Sequence, residues 1–354
     1  MPENALLTRD QMPLLRGVSR SFYLSIRLLP PALQGPIAVA YLLARATDTV
    51  ADTTAMPAAA RLNLLTGLAQ AIQSPTDQLQ ALAPLVRQFA SLQSDAHERA
   101  LMHALPKCLA LLQALAPDDQ NSVRWVLVQI TQGQERDVQE FGQGPGALRS
   151  DADLDEYTWL VAGCVGEFWT ELCARHLPGF ATRDSETMRL AGRSFGMGLQ
   201  RLNILRDAGA DLRSGRCYLP LERLSALGLS AQELMQAALA PSGAAPGDHP
   251  VWPRLQPLWE SQLAQTRSQL QQGLLYSQSL RPIRLRIACA LPALIGARTL
   301  ALLRQAGPSA LTQPVKMPRS EIRGLIWRLL WRWASPQALG REFEHLSQCE
   351  NPKS

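Results

Sequence analysis

Apolar residues recur at three- and four-residue intervals along nearly the whole chain, and no stretch alternates apolar and polar as a half-buried strand does. The pattern predicts an all-α protein. Proline and glycine punctuate it at Pro30-Pro31, Met56-Pro57, Ser74-Pro75, residues 142–153, Pro178-Gly179, Ser214-Gly215, residues 241–257 and Gly307-Pro308. The strongest loop expectation is PSGAAPGDHPVWPRLQP, residues 241–257. Helical patterns of one kind lie on both sides of it, so it reads as a long loop within a single domain over residues 1–354. No internal repeat of solenoid length is present. The longest apolar stretch, Ile287 to Ala297, has 11 residues and is too short to cross a bilayer.

Two segments break the apolar pattern in the same way. In AVAYLLARATDTVAD, Tyr41, Arg45, Asp48 and Asp52 fall on one narrow stripe of the helical wheel. In MGLQRLNILRDAGAD, Gln200, Asn203, Asp207 and Asp211 do so, with Arg206 at the flank. Each Asp-x-x-x-Asp pair projects two carboxylates from one face. Burying them unpaired costs several kcal/mol, so the stripes face something polar. The bland alternative is a solvated face, with Arg45 neutralising Asp48. Two helices of one design favour the other reading. Turned toward each other, they form a cage of hard oxygen ligands suited to magnesium and the diphosphate it holds. Arg206, with Arg213 and Arg216 on either side of the Ser214-Gly215 turn, supplies donors for phosphate oxygens.

Composition narrows the field. The chain is 46% hydrophobic and 18% charged, enough for a large core, and carries a net charge of +5. Only Lys107, Lys316 and Lys353 among its 35 basic residues are lysines. An arginine excess fits an anionic ligand or membrane surface, or a compositional bias of the source genome. No basic stripe interleaved with aromatics points to nucleic acid. The six cysteines form no C-x-x-C unit, which argues against a zinc site or disulfide framework and for a reducing cytoplasm. The amino terminus lacks a signal-peptide apolar core.

Four blocks together, SRSFYLSIRLL (19–29), AYLLARATDTVAD (40–52), YTWLVAGCVG (157–166) and QRLNILRDAGADLRSGRCYLP (200–220), resemble the signature blocks of the squalene and phytoene synthase family. The resemblance covers roughly residues 15–300 in order and spacing. It implies a single-domain isoprenoid synthase helical fold with a central cavity and magnesium-dependent head-to-head condensation of two prenyl diphosphates. Asp48, Asp52, Asp207 and Asp211, with Asn203, then hold magnesium. Ser19, Arg20, Ser21, Gln200, Asn203, Arg206 and Arg216 match positions that contact substrate, and Tyr41, Arg45 and Tyr157 match catalytic ones. Arg20, Arg45 and Arg206 also match positions near a nucleotide.

Within the family, QPVKMPR (313–319) resembles the stretch of squalene synthases that helps to bind NADPH, through Lys316 and Arg319. The bland reading is a short basic turn before the last helix. The expectation is therefore a squalene synthase acting on farnesyl diphosphate. The alternatives are a phytoene or dehydrosqualene synthase that does not reduce its product, or a homologue without catalysis serving as a binding factor. Broken aspartate pairs are the mark of the last, and here all four aspartates stand. Three departures bear on the chemistry: Leu160 where a second tyrosine is common, Ala288 where an aromatic is common, and alanine (Ala51, Ala210) where each magnesium motif often has glutamate. Finally, EIRGLIWRLLWRW places Ile322, Leu325, Ile326, Leu329, Leu330 and Trp333 on one face. Residues 320–334 read either as an amphipathic helix at the inner membrane surface of a cytoplasmic enzyme or as a terminal helix docked on the core.

Overall fold

A computed structural model describes residues 11–18, 26, 29–239, 250–332 and 335–348. Helices dominate, as the periodicity predicts. In chain order they are α1 (Gln11–Val18), α2 (Pro31–Asp52), α3 (Ala58–Gln73), α4 (Pro75–Leu92), α5 (Ala96–His103), α6 (Leu105–Gln113) and α7 (Pro117–Phe141). After these come α8 (Asp151–Thr158), α9 (Cys164–His176), α10 (Ser185–Arg213), α11 (Leu221–Ala226) and α12 (Ala231–Ala238). The last four are α13 (Trp252–Ser279), α14 (Ile283–Ala306), α15 (Arg319–Arg332) and α16 (Pro336–Ser347). A π-helical turn, Trp159–Gly163, joins α8 to α9.

Local chemistry sets these ends. Proline occupies the first turn of α2, α4, α7 and α16, where its missing N–H costs nothing. Asp95 caps α5 by accepting from His97 N and Glu98 N, and Ser150 with Asp153 forms a capping box on α8. Gly215 takes a φ of 81° in the turn after α10, a conformation that disfavours other residues.

Two expectations need correction. Residues 252–257 are helix, not loop: α13 starts at Trp252, with Pro253 in its first turn and Pro257 inside. The remainder of that expectation, residues 240–249, lies outside the described residues. The all-helical pattern also hides a two-residue parallel pairing of Gly146–Ala147 with Arg216–Cys217, too short to leave an alternating signature.

The chain divides into two compact units, residues 1–143 with 167–180, and residues 144–166 with 181–354. In the first, α2 packs against α7, and its core includes Leu33, Leu42, Leu43, Leu64 and Phe89. In the second, α10 lies against α13 and α13 against α14, around Leu255, Trp259, Leu270, Leu294 and Phe343. The Ile283–Leu311 stretch is long and apolar enough to cross a membrane by length and composition. Its helix extends beyond the uninterrupted apolar run because Arg286 and Arg298 lie within it. Ala290, Ala293, Leu294 and Ala297 of that helix are fully buried in the core, the ordinary use of such a helix in a packed protein.

Candidate active site

In the first unit, α2 buries Leu42, Leu43, Ala46 and Val50 completely and turns its polar stripe the other way. Tyr41 and Arg45 are half-buried, Asp48 is partly exposed and Asp52 is exposed. Arg45 Nη1 donates to Asp48 Oδ2 at 2.5 Å, and Arg45 Nη2 donates to Glu98 Oε1 on α5. Partial burial and the charge of Asp52 push the Asp48 carboxyl up to about 6, against the pull of Arg45. Burial pulls the Arg45 guanidinium down, but the charges of Asp48 and Glu98 outweigh it and leave it raised. The helix end below the pair is fixed by buried Arg61, whose Nη1 donates to Ala51 O at 2.6 Å.

In the second unit, α10 buries Leu202, Leu205, Ala208 and Leu212 and leaves Gln200, Asn203, Arg206, Asp207 and Asp211 half-buried on the other side. Arg206 grips Asp207 with two bonds, Nε to Oδ1 at 3.0 Å and Nη2 to Oδ2 at 2.5 Å. That hydrogen bonding, ahead of the opposing burial and the charges of Asp207 and Asp211, raises the guanidinium. Asn203 Nδ2 lies 3.5 Å from Gln200 Oε1, a weak bond that leaves the two amides side by side. Glycine between the aspartates has a packing cause: a Cβ added at Gly209 meets Leu311 O at 2.3 Å. Arg213 turns toward the carbonyls of Ala238 and Leu311.

Nearby in the second unit, the Tyr157 ring stacks on Tyr218 with centroids 5.2 Å apart. Leu160, at the position of the missing tyrosine, is buried within the π-helical turn. That turn sits tight on α10, since a Cβ at Gly196 falls 2.1 Å from Ala162 O. π-Turns of this sort recur at functional sites. Ala288 is half-buried on α14. Val315 and Met317 pack on the core while Lys316 and Arg319 stay exposed. Ser19, Arg20 and Ser21 lie outside the described residues.

Among the described residues no three His, Cys, Asp or Glu side chains converge as a ready metal site. Each half-site offers two carboxylates one turn apart. That donor set fits magnesium, which takes one or two protein carboxylates and completes its octahedron with water and phosphate oxygens.

Sequence reasoning missed two partners. Glu98 sits on a short helix with nothing periodic to mark it. Arg201, only 1% exposed, bonds Gln262 Oε1 at 2.8 Å and Asp155, tying α10 to α8 and α13. A guanidinium on the apolar face of α10 was the available signal.

Residues 15–321 match the family described as Squalene/phytoene synthase. The chain belongs to that family. Its relatives carry both activities of the family name. It is 30% identical over 246 residues to the bifunctional lycopene cyclase/phytoene synthase of Phaeosphaeria nodorum, covering 67% of this chain and 37% of that protein. It is 27% identical over 209 residues to the squalene synthase of Saccharomyces cerevisiae, covering 59% of this chain and 44% of that protein. The matched segment spans less than half the length of either relative. A squalene synthase solved with a ligand shares the helical fold at a TM-score of 0.72 and 20% identity, covering 98% of this chain and 92% of that one. At that identity the likeness concerns the fold alone.

Proposed function

We propose that this chain is a magnesium-dependent farnesyl-diphosphate farnesyltransferase. It joins two farnesyl diphosphates head to head through presqualene diphosphate and reduces the product to squalene with NADPH. The observation that carries this reading is the pair of intact aspartate half-sites, each with an arginine hydrogen-bonded to its first carboxylate, in a chain of this family.

Bound magnesium supplies Lewis-acid stabilisation of the departing diphosphate. Asp48 and Asp52 would hold it in one half-site, and Asp207, Asp211 and Asn203 in the other. Arg45, Arg206 and Arg216 donate to phosphate oxygens as charge builds on the leaving group. Gln200, with Ser19, Arg20 and Ser21, contributes further polar contacts to substrate. The carbocation needs shielding from water and a ring face nearby, and the Tyr157–Tyr218 stack offers one. Tyr41, on the Arg45–Asp48 stripe, is the second phenol available for proton handling. In this reading the exposed Lys316 and Arg319 take phosphates of NADPH, and Arg20, Arg45 and Arg206 contribute by the family resemblance.

A second reading rests on Leu160. With leucine buried where a phenol is common, the chain releases an unreduced phytoene or dehydrosqualene. One experiment separates the two: incubate purified protein with farnesyl diphosphate and magnesium, with and without NADPH, and identify the products. Squalene formed only with NADPH is the expected result. An unreduced hydrocarbon in both arms selects the second reading, and no diphosphate release in either arm, nor with the C20 geranylgeranyl diphosphate, overturns both.

The same proposal covers location. The enzyme works in the cytoplasm and touches the inner membrane through α15, so that an apolar product leaves into lipid. Leu325 and Leu329 anchor this helix in the core while Trp327 stays 64% exposed and Ile326 39% exposed; Leu330 and Trp333 have side chains outside the described residues. Flotation with anionic liposomes tests it. Binding lost in Ile326→Ser/Trp327→Ser is expected, and intact protein that stays with the soluble fraction overturns it.

A further inference from the structure

Arg45 is the most heavily engaged cation of the first half-site. One Nη bonds Asp48 and the other bonds Glu98, 53 residues away on α5. Its Nε is buried with no hydrogen-bond partner among the described residues. Glu98 itself is 24% exposed and belongs to no motif that marks the family in this sequence. Two carboxylates, Asp48 and Glu98, thus hold one guanidinium, and Asp52 adds its charge beside Asp48. When all are ionised, the local charge is negative, and a free diphosphate is repelled.

We propose that Glu98 is a positioning residue that makes diphosphate binding at this half-site depend on magnesium. The inference rests on the diphosphate chemistry proposed above. Glu98 occupies the fork of Arg45 and adds a third negative charge beside the aspartate pair. A diphosphate without metal must displace a carboxylate from Arg45 and sit among negative charges. Once magnesium neutralises Asp48 and Asp52, Arg45 loses its hold on Asp48. The freed Nη1 then presents one charged donor to a phosphate oxygen. Glu98 keeps the other Nη and so keeps the guanidinium plane fixed through the exchange. The device ensures that substrate is captured as its magnesium complex, the form that can ionise.

The test uses the full chain and inorganic diphosphate as probe, measured by calorimetry with magnesium or with a chelator. Wild type is expected to bind with magnesium and to bind at least about tenfold more weakly without it. Glu98→Gln is expected to bind metal-free diphosphate about tenfold more tightly than wild type and to bind magnesium alone more weakly. Glu98→Asp, which keeps the charge, is expected to restore most of the metal dependence. With farnesyl diphosphate, the loss in Glu98→Gln appears in the magnesium concentration needed for half-maximal rate more than in kcat at saturating metal. Glu98→Gln matching wild type in both arms overturns this role and leaves the proposed function standing. Wild type that binds no diphosphate in either arm overturns both. A second measurement needs no variant of Glu98: the Arg45 side-chain Nε–H resonance, assigned with Arg45→Lys, is expected to move with magnesium diphosphate and not with diphosphate alone. Equal movement in the two cases overturns the proposal.

Discussion

In the first unit Arg45 sits one helical turn before Asp48 and reaches a second acid on a separate helix. In the second unit Arg206 grips its own chain neighbour, Asp207, with one edge of the guanidinium and bonds no other helix among the described residues. Adjacent residues on a helix do not face each other, so the Arg206 side chain curls back along the helix surface to make its fork. Both Asp-x-x-x-Asp motifs are therefore neutralised by an arginine of their own helix, but the first arginine is also tied to a separate helix and the second is not. The lesson is that a metal motif in sequence says nothing about how its charge is held before the metal arrives. A tertiary partner ties binding to the packing of another helix, whereas a local partner leaves the helix free to respond alone.

The largest test of this comparison replaces the first aspartate of each pair. Asp48→Asn and Asp207→Asn are each expected to lower kcat/KM by about 10³, about 4 kcal/mol of transition-state stabilisation, in steady-state assays with farnesyl diphosphate. If one variant loses less than about tenfold, the half-sites do not share the work and the comparison breaks. Next come the arginines. Arg206→Lys keeps the charge but cannot make two parallel bonds, and is expected to lose about thirtyfold in kcat/KM with an unchanged melting temperature. Arg45→Lys is expected to lose a similar amount and also to melt about 2 °C lower, because its link to Glu98 joins two helices. Equal melting temperatures in the two variants remove the tertiary–local distinction.

The smallest effect is in pH. Asp48 has its carboxyl raised to about 6 by partial burial and Asp52. Between about pH 4 and about pH 6 the folded protein therefore holds a proton that the unfolded chain has released. This contribution to stability is full below that window, falls as pH rises through it, and is flat above. Urea unfolding of wild type and Asp48→Asn across the window reads it as a slope present in the first and absent in the second. Magnesium competes with the same proton, so metal affinity at this half-site is expected to climb until the pH passes about 6.

Most of the helical frame is legible in the sequence, and the reason is local. The ends at Pro31, Pro75 and Ser214 come from residues that cannot continue a helix, or from the turn that follows one. The aspartate stripes are legible for the same reason, since spacing along one helix determines a face. Pro253 and Pro257 mislead because proline is tolerated in a first turn, and because burial of Trp252, Leu255 and Leu258 holds the helix together around Pro257. Glu98 and Arg201 are invisible at this level. Their partners lie 53, 46 and 61 residues away, and only the packed fold brings them together. The π-helical turn escapes as well, because one extra residue in a helix leaves no mark that composition or period can register.

The chain path through the two units has a practical consequence. The first unit takes residues 167–180 from beyond a segment that belongs to the second. Buried Asp119 on α7 waits for Arg175 and His176 from that return. A chain that ends after α7 lacks the two cationic partners that buried Asp119 bonds. A fragment cut at Gln143 is a trap for anyone seeking an isolated aspartate half-site: it carries Asp48 and Asp52 intact, on a body missing its last helix.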